Sequence, residues 1–144
     1  MDSPDALNVA LADWETDSAA IRAVRNTVFS DEQGISEALD FDGRDHECVQ
    51  VLARVGDDEI VGTARMLPDG HVGRIAVHER WRGRGVGTRL AECLTEVARD
   101  RGFTEIYLHS QAQAAGFYTR LGYETRGDTF MEAGIEHVLM VRTL

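Results

Sequence analysis

The sequence predicts an α+β fold, a mixed α/β sheet flanked by helices. Three observations carry the prediction. A strand and an amphipathic helix come first, alternating runs joined by short turns follow, and the chain then switches to strand, glycine-rich loop, helix, strand, helix and strand. Hydrophobic residues make up 43% of the 144, enough for one domain over residues 1–144 to bury a core. No internal repeat, linker or low-complexity tract divides the chain.

The elements follow in order. "LNVALADW" alternates as an opening strand. Thr16 is placed to cap the helix after it, with Ile21, Val24, Val28 and Phe29 on the apolar side. Arg25 falls on that same side, where a charge needs a partner or a ligand. "EQGISEALDFDGRDH" is acidic and irregular, a loop or short helix. "CVQVLARV" and "EIVGTARML" alternate, with "GDDE" as the hairpin turn between them. "PDG" turns the chain into "HVGRIAVH", a third strand of the same sheet. Val86, Leu90, Cys93, Leu94, Val97 and Ala98 then recur at helical spacing, and Gly102 sits where a left-handed cap ends a helix. "TEIYLH" is a strand, "AQAAGFYTRL" a helix closed by Gly122, and "EHVLMVRTL" a final strand.

Charge narrows the function classes. The net charge is −10, with 25 acids against 15 bases, and every base is arginine. A broad basic surface for nucleic acid or membrane is therefore not expected. An acidic chain without lysine suits a salt-rich cytoplasm, as in halophiles. The N-terminus has neither the basic region nor the apolar core of a signal peptide, and no apolar run approaches the roughly 20 residues that span a bilayer, so a cytoplasmic location is expected. Cys48 and Cys93 form no C-x-x-C pair and read as small buried hydrophobes. His46 and Asp45 lack a third ligand at useful spacing, so no metal is expected.

Against this acidic background "RWRGRGVG" (residues 80–87) stands apart. Arg74, Arg80, Arg82, Arg84 and Arg89 lie within sixteen residues, with Glu79 the only acid among them. A strand, a glycine-rich loop and a helix N-terminus make a phosphate site: the first turn has free N–H groups, glycines allow close approach, and arginines add charge. A Walker A loop needs lysine, which the chain lacks. A dinucleotide fingerprint needs a third glycine where Thr88 stands. The pattern R/Q-x-x-G-x-G/A is met by Arg82, Gly85 and Gly87.

That loop resembles the pyrophosphate loop of the GNAT acyl-CoA N-acetyltransferase superfamily. "GRIAV" resembles its central strand and "AAGFYTRLGY" its "A-x-x-F-Y-x-x-x-G-F" segment. "VFSDEQG", "EALDFDGRDH", "GTARM" and "FMEAGIEHVLM" resemble the ElaA-like branch, so the likeness runs from about Arg22 to Met140. It implies a GNAT fold whose central sheet splays at a cofactor cleft. It implies acetyl-CoA as cofactor, with Ile75, Ala76 and Val77 lending backbone groups to its pantetheine arm and one N–H polarising the thioester carbonyl. Arg82, Gly83, Arg84, Gly85, Val86, Gly87 and Thr88 would wrap the pyrophosphate. Gln111 stands where many members carry a cofactor-contacting asparagine.

The implied reaction is direct acetyl transfer to a small-molecule or peptidic primary amine. Tyr118 is the implied acid for the leaving thiolate; from periodicity alone it reads as a core residue. The base is open among Glu32, His78, His109 and His137, with Glu32 and His137 beside the implied acceptor pocket. Arg25 and Arg65 are candidates to line that pocket, although Arg65 could equally pair with Asp40 or Asp45. The alternative is a non-catalytic acyl-CoA-binding or regulatory domain on the same fold. A homodimer is compatible with either reading.

Overall fold

The computed structural model describes residues 6–56 and 59–144. Among these residues, strands β1 (Leu7–Ala12), β2 (Val49–Val55), β3 (Glu59–Met66) and β4 (Val72–Val77) form one antiparallel sheet in the order β1-β2-β3-β4. Strands β5 (Glu105–Gln111), β6 (Glu124–Glu132) and β7 (Ile135–Thr143) form a second, ordered β5-β7-β6. The helices are α1 (Trp14–Arg25), the single turn α2 (Glu37–Asp40), α3 (Val86–Asp100) and α4 (Ala115–Arg120).

The two sheets touch at one end of β4 and β5. His71 bridges Tyr107 in parallel, and the Tyr107 N–H donates to the Gly70 carbonyl at 3.1 Å. No other bridge joins the two strands among the described residues, so they splay as expected. A bulge sharpens the opening. Thr63 pairs with Ala76 and Arg65 with Gly73, so β4 carries one residue more than β3 across this step. Arg74 sits in the bulge at φ 50°, a left-handed conformation that an arginine adopts only where its surroundings hold it.

Helix α3 clamps the first sheet. Val86, Leu90, Leu94 and Ala98 are buried on its inner face. Val86 and Leu90 cover Gly62 of β3, where an added Cβ would lie 3.0 Å from Leu90 Cδ1 and 3.1 Å from the Ala76 carbonyl oxygen. Only a residue without a side chain allows this approach. Gly102 ends the helix at φ +83°, as the sequence predicts.

Three local expectations change. Asp13, not Thr16, caps α1: its carboxylate accepts the Glu15 N–H at 3.1 Å, and the Thr16 hydroxyl instead donates to the Asp13 carbonyl. The run after Gly122 is a strand, β6, which the pattern does not reveal because all of it but Phe130 is exposed. Helix α1 widens into a π-helical segment over Asn26–Glu32 rather than continuing regularly. Of the "GDDE" turn, Asp57 and Asp58 lie outside the described residues.

Candidate active site

The splay between β4 and β5 opens into a cavity of about 650 Å³. Ile75 lines it from β4, His109 and Gln111 from β5, Tyr118 from α4 and His137 from β7. Tyr118 packs edge-on to Phe117 and Tyr123, with ring centres 4.9 and 5.8 Å apart. Burial pushes its phenol up to about 12, so the hydroxyl keeps its proton across the neutral range. Gln111 donates to Gln33 at 3.4 Å, across from the π-helical segment. Ala76 faces the other way and is buried with Val24 and Val28.

A smaller hollow of about 320 Å³ lies at the N-terminus of α3, lined by Val77, Trp81, Arg82, Gly83, Gly85 and their neighbours Val86, Gly87, Thr88 and Phe117. Gly83 and Gly85 adopt φ +75° and +83°. Gly85 occupies the N-cap without a side chain to offer, and no acid stands in the first turn. The first-turn N–H groups thus face the hollow without competition from a cap, which suits a phosphate-bearing group.

The five clustered arginines divide. Arg89 donates to the Leu7 carbonyl at 3.0 Å, Arg80 contacts Glu59 at 3.3 Å, and Arg74 points into a different network. Arg82 lines the hollow, and Arg84 stands beside it on the same loop. Arg84 lies over the Trp81 ring, 4.9 Å from its centre. Arg82 donates from Nε to the Val77 carbonyl at 2.9 Å and from Nη2 to Glu32 at 2.6 Å.

One wall of the large cavity is an ion-pair network. Arg25, with no exposed surface, donates to both Asp40 (2.8 Å) and Asp45 (2.6 Å). Arg65 donates to Asp42 (2.6 Å) and Asp45 (3.0 Å). Arg74 reaches the Asp40 carbonyl at 3.1 Å. The Arg65 hydrogen bond holds the Asp42 carboxyl well below the usual carboxylate range, despite partial burial. Burial alone would raise Asp45, but the bond and charge of Arg25 outweigh it and the carboxyl is lowered. Arg65 thus lines the cavity while committed to acids. Arg25 does not line it: the guanidinium is fully buried, held by Asp40 at the end of α2 and by Asp45 beyond it.

The opposite wall is built from histidines. His137 Nδ1 lies 2.7 Å from the Ile135 carbonyl, which can only accept, so Nδ1 carries the proton and neutral His137 offers Nε2 as a lone pair. Glu132 stands between two imidazoles: Oε1 lies 3.0 Å from His109 Nδ1, and Oε2 lies 3.6 Å from His137 Nε2. His71 stacks on Tyr107, and Tyr107 donates to Asp69 at 2.5 Å. Burial, then the neighbouring His109, lowers the His71 imidazole below its ordinary value.

Tyr118, His109, His137, Gln111, Ile75 and Arg65 therefore share one cavity, while Glu32 and His78 lie off its wall. Glu32 is paired with Arg82 at the hollow rather than facing the histidines. Sequence reasoning missed Glu132 and His71. Glu132 sits on strand β6, within the "FMEAGIEHVLM" segment, beside a turn where Ala133 and Gly134 take φ 52° and 75°.

Comparison with known proteins agrees with this architecture. Residues 17–144 match the acetyltransferase (GNAT) domain family. The uncharacterized protein YyaT of Bacillus subtilis (strain 168) is 36% identical over 144 residues, covering 96% of this chain and 97% of its own. The crystal structure of Escherichia coli ElaA aligns with a TM-score of 0.83 at 27% identity, covering 94% of this chain and 99% of that one. A GNAT family acetyltransferase from Elizabethkingia anophelis, solved with acetyl-CoA bound, shares the fold at a TM-score of 0.73 and 18% identity, covering 97% and 99%. With its splayed strands, uncapped glycine loop and nearly full-length match, the chain belongs to the GNAT acetyltransferase family.

Proposed function

We propose that this protein is an N-acetyltransferase that uses acetyl-CoA to acetylate a primary amine. The observation that carries the reading is the continuity of one cleft. The hollow is lined by Val77 and Phe117 and the cavity by Ile75 and Tyr118, so the two flank the same stretches of β4 and α4 beside the splay. The donor set fits the cofactor: first-turn N–H groups and two arginines for pyrophosphate, and an unpaired strand edge for an amide-bearing arm. Bound acetyl-CoA supplies the acetyl group as a thioester that the amine attacks directly.

The chain's own groups divide the remaining work. Gly83–Thr88 hold the pyrophosphate, aided by Arg82 and Arg84. Ile75, Ala76 and Val77 present backbone groups along the cleft. Gln111 contributes an amide at the cavity's β5 side. Tyr118 is protonated across the neutral range, so its hydroxyl has a proton to give the departing thiolate. His137 accepts the amine proton at Nε2, and it replaces Glu32 as the base in this reading. Arg65 shapes the acceptor wall.

A thiol-release assay with acetyl-CoA and a panel of primary amines, from ethanolamine to lysine-containing peptides, tests the reading. Turnover with at least one amine is expected. CoA binding without turnover on any of them would favour a non-catalytic acyl-CoA-binding domain.

A further inference from the structure

Strand pairing sets which side chains of β5, β6 and β7 meet at the cavity. The turn Ala133–Gly134 has two left-handed residues in succession, the geometry of a tight two-residue hairpin. It fixes the register of β6 on β7, with Glu132 opposite Ile135 and Phe130 opposite His137. The neighbouring ladder sets His109 opposite Leu139 and Gln111 opposite His137. Side chains two apart on a strand share a face, so His109, Glu132 and His137 converge from three strands onto the cavity. Phe130 packs between the two imidazoles, 5.2 Å from His109 and 6.1 Å from His137 between ring centres.

We propose that Glu132 is the acceptor-binding carboxylate, that His109 positions it, and that it recognises the ammonium form of the amine beside His137. This rests on the acetyltransferase reading above. Three features support it. Glu132 is half exposed at the cavity, whereas the other acids on the wall, Asp40 and Asp42, are engaged by Arg25, Arg65 and Arg74. The contact to His109 is within hydrogen-bond range and aims the carboxylate. The distance from Oε2 to His137 Nε2, 3.6 Å, is too long for a hydrogen bond yet short enough for a cationic nitrogen to meet both atoms.

The proton step balances simply. An N–H bond of the bound ammonium breaks and an N–H bond forms at His137 Nε2. The amine becomes neutral and nucleophilic, and the positive charge passes to the imidazole ring. Glu132 then faces an imidazolium in place of an ammonium, so its charge is used before and after the transfer. The Ile135 carbonyl, bonded to Nδ1–H, keeps the accepting nitrogen turned towards the cavity.

Steady-state kinetics of E132Q, E132D and H109N on the best primary amine of the panel test the assignment, with CoA affinity measured by calorimetry on each variant. E132Q should raise KM for the amine about tenfold, as expected for a lost charged hydrogen bond, and leave CoA affinity unchanged. E132D should recover part of the loss, and H109N should raise the amine KM a few-fold. An unchanged amine KM in E132Q would overturn the assignment, as would an equal loss of CoA affinity, which marks structural damage. A wild-type protein that binds CoA but turns over no amine would instead overturn the acetyltransferase reading, and this assignment with it.

Discussion

Glu32 and Arg82, fifty residues apart in sequence, form an ion pair of 2.6 Å that joins the π-helical end of α1 to the glycine loop. The same arginine holds the Val77 carbonyl at the end of β4. Three elements that border the cleft therefore meet at one guanidinium. A phosphate arriving at the loop must share Arg82 with a carboxylate already there.

Replacing Glu32 with Gln removes that competitor. CoA should bind about two- to five-fold tighter, the scale of an exposed ion pair, by isothermal calorimetry. Turnover should stay within a few-fold of wild type. A fall of about a hundredfold in kcat would instead return Glu32 to the role of general base.

Gly87 tests the hollow without straining the backbone. Its position is helical, and an added Cβ would face Phe117 Cζ at 3.4 Å. Gly87→Val should weaken CoA binding about tenfold by filling the space the phosphates need, with the melting temperature nearly unchanged. Equal affinity would place the phosphates elsewhere.

Gly62→Ala probes the contact between α3 and the first sheet. The new methyl meets Leu90, Val86 and the Ala76 carbonyl at 3.0–3.2 Å, and the carbonyl cannot rotate away. A loss of about 1–3 kcal/mol is expected from urea denaturation.

Asp45 serves Arg25 and Arg65 at once. Asp45→Asn leaves both buried guanidiniums short of charge and should cost about 3 kcal/mol. Asp42 and Asp45 titrate below their ordinary value of 3.8 in the folded chain. The unfolded chain therefore takes up these protons first as pH falls. Their stabilisation is complete above that value, declines as pH drops below it, and vanishes once the folded carboxyls are protonated. Denaturation midpoints measured from pH 6 to pH 2.5 should fall more steeply in the wild type than in Asp45→Asn.

Much of this architecture is legible in the sequence because it rests on local signals. The glycine loop, the stripe of α3 and the Gly102 cap each depend on neighbours a few residues away. What stays hidden depends on distant partners. Arg25 announces that it needs a counter-charge, yet the sequence offers Asp40 and Asp45 only to Arg65, and that both turn to Arg25 depends on the fold. Periodicity cannot show that Glu32 folds against Arg82, or that a bulge places Arg74 in a left-handed turn. Strand β6 escapes because neither of its faces is buried, and Glu132 escapes with it. The wall exists only because β5 and β7 bring His109 and His137 together, β6 sets Glu132 against both, and the turn before β4 brings His71 to Tyr107.

Helix α4 sets Tyr118 at the cavity, where burial pushes its phenol up to about 12. The direct measurement is the rate of thiol release from acetyl-CoA by Tyr118→Phe at saturating amine, with CoA affinity determined on the same preparation. A loss of about a hundredfold in kcat with CoA affinity unchanged is expected. A Tyr118→Phe protein that turns over at the wild-type rate would contradict the role of Tyr118 as the acid.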